Sequence, residues 1–168
     1  ISVDLDFFSL HDFDGDVILF ELQKIFNLNV TMNKANQLML NVEYPPKSDL
    51  VVKLDILKYP YPLISSIINF DDIRLLAIED IIPMKLSAIA NRGAKKDFYD
   101  IYFLLNQFSL KEMLSLFSQK FPNISHFHLL KSLVYFDDAD EDANPKLLIQ
   151  ISWGQVKTTI EKEVMKVL

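Results

Sequence analysis

Two short segments restrict what this chain can become, because each alternates apolar residues with acids. They are Ser2-Val3-Asp4-Leu5-Asp6-Phe7 and Val51-Val52-Lys53-Leu54-Asp55-Ile56-Leu57. A β-strand sends successive side chains to opposite faces, so Asp4 and Asp6 fall on one side, roughly 6–7 Å apart along the strand. Val3, Leu5 and Phe7 then point into a core, as do Val52, Leu54 and Ile56 of the second segment, while Asp55 faces out with Lys53. If the two strands pair, three carboxylates converge on one patch that can hold one or two Mg²⁺ ions, since hard oxygen ligands suit a hard cation that also grips phosphate.

The pattern around these segments is strand-rich up to about residue 78 and helical from residue 79 onward. Asp12 or Asp14 can cap a helix running to about Asn27. A hairpin follows, with Leu28, Val30 and Met32 alternating, a turn at Asn33-Lys34-Ala35-Asn36, and Leu38, Leu40, Val42 and Tyr44 alternating again. Pro45-Pro46 stops that strand, and a short apolar stretch near Ile73–Ile78 reads as an added edge strand. The helical periodicity covers roughly 79–91, 96–106, 109–121, 126–137 and 152–167. In the last of these Trp153, Val156, Ile160, Val164 and Val167 form one stripe behind a Ser152 N-cap, and Gly93 sits where a left-handed C-terminal residue belongs. Sheet first and helices second is an α+β order: a small mixed sheet with helices packed on it, followed by a C-terminal helical bundle. The expected domains are 1–78 and 79–168.

Composition removes several classes. Half the residues are hydrophobic, which argues against disorder, and there is no cysteine, which excludes disulfides and cysteine-held zinc. No apolar run is long enough to span a membrane and no secretory signal pattern is visible, so a cytoplasmic protein with no membrane partner is expected. A net charge of −6 is unlike a purely electrostatic nucleic-acid binder. The acidic run Asp137-Asp138-Ala139-Asp140-Glu141-Asp142 reads as a solvated loop or frayed helix end. His11, His126 and His128 have no metal spacing.

Basic residues follow the acids. Lys85, Ile89 and Arg92 share one helix face, and Lys96 and Asp100 make an i,i+4 pair in the next helix. Acids that hold metal beside bases that match phosphate charge are what a nucleoside triphosphate site requires. Taken together, Ser2-x-Asp4-x-Asp6-Phe7-Phe8, the isolated Asp55 strand and Lys85…Arg92…Lys96-Asp97-x-x-Asp100 resemble the AbiEii-type toxins. These are minimal nucleotidyltransferases of the polymerase-beta-like superfamily, found in abortive-infection and type IV toxin–antitoxin systems of bacteria. The similarity continues through Tyr102-Phe103-Leu104-Leu105 and Trp153-x-x-Val156-Lys157.

The resemblance implies a nucleotidyltransferase core and specific roles. Asp4 and Asp6 match the paired metal-binding acids, and Asp55 the third carboxylate, as metal ligand or base. Lys85 matches a lysine on the nucleotide phosphates, and Asp97, with Asp100 as partner, the acid of the last motif. Arg92 and Lys96 are implied as phosphate or structural contacts, and Ser2 as a nucleotide contact. The implied reaction is Mg²⁺-dependent transfer of a nucleotide to an RNA end, with tRNA the expected class, or to a protein hydroxyl, with an antitoxin as cognate partner. The Gly-Ser or Gly-Gly turn that the superfamily carries ahead of the paired aspartates is missing. The expectation is therefore a natural chain extending upstream of Ile1, or else a decayed gene, with this stretch inactive when taken alone. Three alternatives stay open: a scaffold that binds an antitoxin or another protein without catalysis, a nucleotidyltransferase acting on a small molecule, and structural roles for the charges. In the last case Arg92 pairs with Asp97 or Asp100, Lys85 snorkels, and Lys95 is simply solvated.

Overall fold

The structure, a computed structural model, describes residues 4–45 and 50–168. Ser2, Val3 and Pro46 therefore lie outside the described residues. The chain divides into two compact units, Ile1–Pro62 and Leu63–Leu168.

The first unit is built on alternation. Strand β1 (Asp4–Ser9) leads to helix α1 (Gly15–Gln23), whose N-cap Asp14 accepts a hydrogen bond from the Asp16 backbone N–H. Strands β2 (Leu28–Lys34) and β3 (Gln37–Glu43) form the hairpin; the turn narrows to Ala35-Asn36, with Asn36 at φ 62°. The β2 register shifts between Val30 and Met32, a bulge that the even spacing of Leu28, Val30 and Met32 does not announce. Strand β4 (Val51–Lys58) completes a mixed sheet of order β1-β4-β3-β2, parallel between β1 and β4 and antiparallel elsewhere.

The core of this unit is the face that carries Leu38, Leu40 and Val42, packed with Phe13, Ile18, Leu19, Leu22, Phe26, Leu28, Leu54 and Ile56. Burying each such aliphatic side chain contributes about 1.5–3 kcal/mol before chain entropy is counted. Leu54 and Ile56 are thus on the expected side. Leu5 and Phe7 are not in the core, each remaining 51% exposed. They sit on a strand that, among the described residues, is bonded on one side only, and α1 packs on the strands around β3.

The second unit opens with a separate hairpin, β5 (Ile68–Phe70) and β6 (Ile73–Leu75), turned by Asp71 and Asp72 in left-handed conformations. The apolar stretch near Ile73 is therefore half of its own two-stranded sheet and not an edge of the main one. Helices α2 (Ile78–Asn91), α3 (Lys95–Leu104), α4 (Leu110–Lys120), α5 (His126–Leu133), α6 (Asp137–Asp140) and α7 (Trp153–Met165) follow. Ser109 and Glu112 form a reciprocal capping box at α4, and Ser152 caps α7. The α7 stripe buries Val156, Ile160 and Val164, while Gly93, at φ 54°, ends α2. Helix α2 packs against α3, α4 and α5, and α7 against α3 and α5, enclosing Ile82, Leu86, Phe98, Ile101, Met113, Phe117 and Leu133. Among the described residues no helix is long and apolar enough to cross a membrane.

Two charged features differ from expectation. Lys95 is buried, donating from its ammonium group to the backbone carbonyls of Asp142 and Asp140 and lying over the Trp153 ring. The acidic run is partly structural: Asp142 accepts from the Lys95 backbone N–H at the start of α3, and Asp140 accepts from Trp153 Nε1 and the Lys157 ammonium. All five acids of the run stay exposed, as the sequence suggests, with Ala139 alone buried.

Candidate active site

The parallel pairing of β1 with β4 sets Asp6 directly beside Asp55 and Asp4 beside Lys53. Adjacent strands run about 4.8 Å apart, and directly opposed residues share a face. Asp4, Asp6, Lys53 and Asp55 therefore occupy one side of the sheet and Leu5, Phe7, Leu54 and Ile56 the other. The acids share a face as the alternation requires. They do not close into a triad, for among the described residues no three Asp, Glu, His or Cys side chains gather tightly enough to hold a metal ion.

Asp55 is the most constrained of these acids. Its strand pattern places it opposite the core, yet it is only 7% exposed. One oxygen, Oδ2, accepts from Lys53 Nζ at 2.7 Å. The other, Oδ1, is buried and has no hydrogen-bond partner. An unmet buried carboxylate oxygen costs free energy, and such groups call for a water or an ion. Magnesium is commonly held by one or two carboxylates completed by water and substrate phosphate, not by an all-protein cage. A pair of aspartates, one with an unused oxygen, fits that donor set. Lys53, noticed in the sequence only as an outward neighbour of Asp55, belongs to the same group. The Asp55 hydrogen bond raises its pKa most, and the charges of Asp55, Asp4 and Asp6 add to that against the opposing effect of burial. The signal in the sequence is the i,i+2 spacing of opposite charges on one strand face.

The remaining site candidates lie in the second unit and fall into two pairs. Lys85 of α2 meets Asp100 of α3, Nζ to Oδ2 at 2.8 Å, both partly exposed. Asp100 thus pairs with the neighbouring helix, while Lys96, its expected i,i+4 partner, stays exposed. Arg92 grips Asp97 through Nε at 2.8 Å and Nη2 at 2.7 Å, a two-pronged bond to a fully buried carboxylate. Both Asp97 oxygens are occupied by the arginine, which ties the end of α2 to the first turn of α3. Tyr99 and Trp153 stack within the packed interior, and His126 Nε2 lies 2.7 Å from Ser118 Oγ. A shallow cleft at the start of α1 is lined by Asp12, Asp14, Asp16, Asn33 and Lys34, and none of the candidate residues borders it.

Comparisons with known proteins agree on the fold. The family model described as "Nucleotidyl transferase AbiEii toxin, Type IV TA system" matches residues 1–166. The uncharacterized protein aq_aa25 of Aquifex aeolicus (strain VF5) is 31% identical over 173 residues, covering 99% of this chain and 80% of that protein. Among solved structures, JHP933 from Helicobacter pylori superposes with a TM-score of 0.58 at 19% identity, over 99% of this chain and 77% of that one. A second H. pylori structure, solved as a candidate nucleotidyltransferase, gives a TM-score of 0.52 at 20% identity, over 99% of this chain and 81% of that one.

Proposed function

The chain belongs to the AbiEii nucleotidyl transferase toxin family of type IV toxin–antitoxin systems, and from that premise we propose that it is a metal-dependent nucleotidyltransferase whose acids Asp6 and Asp55, with Asp4, hold Mg²⁺. The observation that carries the reading is the buried, unpartnered Oδ1 of Asp55 beside Asp6 on the polar face of the sheet. Bound there, Mg²⁺ would supply charge neutralisation for the phosphates of a nucleoside triphosphate.

The protein's own groups have distinct tasks in this reading. Asp6 and Asp55 present oxygens from two adjacent strands, so the sheet fixes their separation, and Asp4 adds negative charge one step along β1. Lys85 contacts the phosphates, and Asp100 holds its ammonium in a single direction between α2 and α3. Lys96 is an exposed cation available to phosphate. Arg92 and Asp97 brace the α2–α3 corner, so Asp97 serves the reaction through the position of that corner. The acceptor is an RNA end, with tRNA the expected class, or a protein hydroxyl, and a cognate antitoxin is the partner.

Transfer of label from an α-³²P nucleoside triphosphate to total tRNA and protein tests the proposal. Asp6→Asn and Asp55→Asn are each expected to reduce transfer by at least 100-fold while the far-UV circular dichroism stays native. Native rates in either variant would remove the assigned acids from the reaction. A scaffold that merely binds an antitoxin predicts a melting temperature indifferent to Mg²⁺ and triphosphate. The enzyme, with triphosphate at about 100 times its Kd, should gain roughly 2.7 kcal/mol.

A further inference from the structure

Lys53 is the one cation on the acid face of β1 and β4 among the described residues of those strands, and its position is unusual for a group beside a metal site. Its ammonium nitrogen lies 2.7 Å from Asp55 Oδ2 and feels the charges of Asp4 and Asp6 as well. The two partners differ in freedom: the Asp55 side chain is 9% exposed, whereas that of Lys53 is 45% exposed. The carboxylate is therefore fixed, and the long lysine stem can carry its head group into water at small cost. A divalent ion approaching Oδ1 of Asp55 meets a carboxylate already half neutralised, together with a like charge a few ångströms away. In solvent-like dielectric, a divalent and a monovalent cation about 5 Å apart repel enough to change affinity by roughly tenfold.

We propose that Lys53 is an affinity-setting residue of the carboxylate patch, competing with the divalent cation for Asp55 and holding metal binding by the protein alone at a low level. This rests on the reading of Asp6 and Asp55 as metal ligands. The consequence for the reaction is that the metal loads most favourably together with the triphosphate, whose negative charge offsets the Lys53 ammonium. A lysine placed only to steady the sheet would give no such coupling.

Mn²⁺ binding to the whole chain, read by electron paramagnetic resonance without nucleotide, tests this independently of activity. Lys53→Met is expected to bind Mn²⁺ about tenfold more tightly than the wild type, and Lys53→Arg to match the wild type. Lys58→Met serves as a control, because the Lys58 ammonium pairs with exposed Asp12; its affinity is expected to stay within about twofold of the wild type. Lys53→Met binding no tighter than the wild type would overturn the inference while leaving the acids as ligands. Asp55→Asn is expected to abolish the gain of Lys53→Met when the two are combined. A double variant that still binds as tightly as Lys53→Met would remove Asp55 from the metal site and overturn both readings.

Discussion

At the scale of single residues, the most demanding interaction in the protein is the ion pair between Asp80 and Lys120. Their side chains are 0% and 1% exposed, and the charged atoms are 2.6 Å apart. Asp80 also accepts from the backbone N–H groups of Ile64 and Ser65, which fixes the entry to the second unit on α2. Burial alone would raise the Asp80 pKa, but the Lys120 ammonium and those two amides outweigh it and hold the carboxyl below its ordinary value. A carboxyl whose folded pKa is depressed contributes stability that is complete above the unfolded value and is lost as pH falls through the folded one. Acid unfolding below about pH 4 should therefore be shallower in Asp80→Asn than in the wild type. At neutral pH that variant takes the carboxylate away from the buried Lys120 ammonium and should lose stability in urea unfolding, by up to about 3–5 kcal/mol. Combining Asp80→Asn with Lys120→Met removes the buried cation while keeping an acceptor for the Ile64 and Ser65 amides, and should recover part of the loss. None of this was legible in the sequence, where Asp80 and Lys120 look like ordinary helix surface charges far apart in the chain. The face shared by Asp4 and Asp6 was legible, because period-two alternation fixes it whatever the tertiary context; Asp55 joins it only through the parallel pairing of β1 with β4. Burial of Lys95 was not, since it depends on carbonyls of the distant acidic run.

At the scale of elements, ends matter more than middles. Gly93 takes φ 54° at the close of α2, and an added Cβ would meet the Ile89 carbonyl oxygen at 3.5 Å, an ordinary contact. The penalty for Gly93→Ala is then the left-handed backbone itself, about 1–2 kcal/mol by thermal or urea unfolding. Because Gly93 lies between Arg92 and Asp97, inside the corner they brace, that variant also tests whether the corner is needed for transfer. Ser109→Ala removes half of the α4 capping box and should cost about 1 kcal/mol. These caps were readable because capping is local, and Ser152 and Gly93 follow directly from residue type and position. The β5–β6 hairpin was harder to place. Its strands are three residues each, and Ile68, Phe70, Ile73 and Leu75 share an exposed face, so no burial pattern separates it from an edge strand. Helix α5 ended earlier than its periodicity suggests, because Val134 leaves helical geometry and α6 starts anew at Asp137.

At the scale of the whole molecule, the two units have separate cores and different construction. Residues 63–168 bury their own helix stripes, the Asp80–Lys120 pair and the Trp153 aromatic cluster. Expressed alone, this stretch should give a helical far-UV spectrum and a cooperative melt; a broad, non-cooperative transition would show that its core is insufficient. The sheet unit is less local. Among the described residues β1 bonds to β4 alone, a partner separated from it along the chain by α1, β2 and β3. A growing polypeptide leaving the ribosome thus carries Asp4 and Asp6 past the whole hairpin before Asp55 is made, and the shared acid face comes into being when β4 emerges. For the transferase proposed above, that chain order delays competence until synthesis of the sheet is finished.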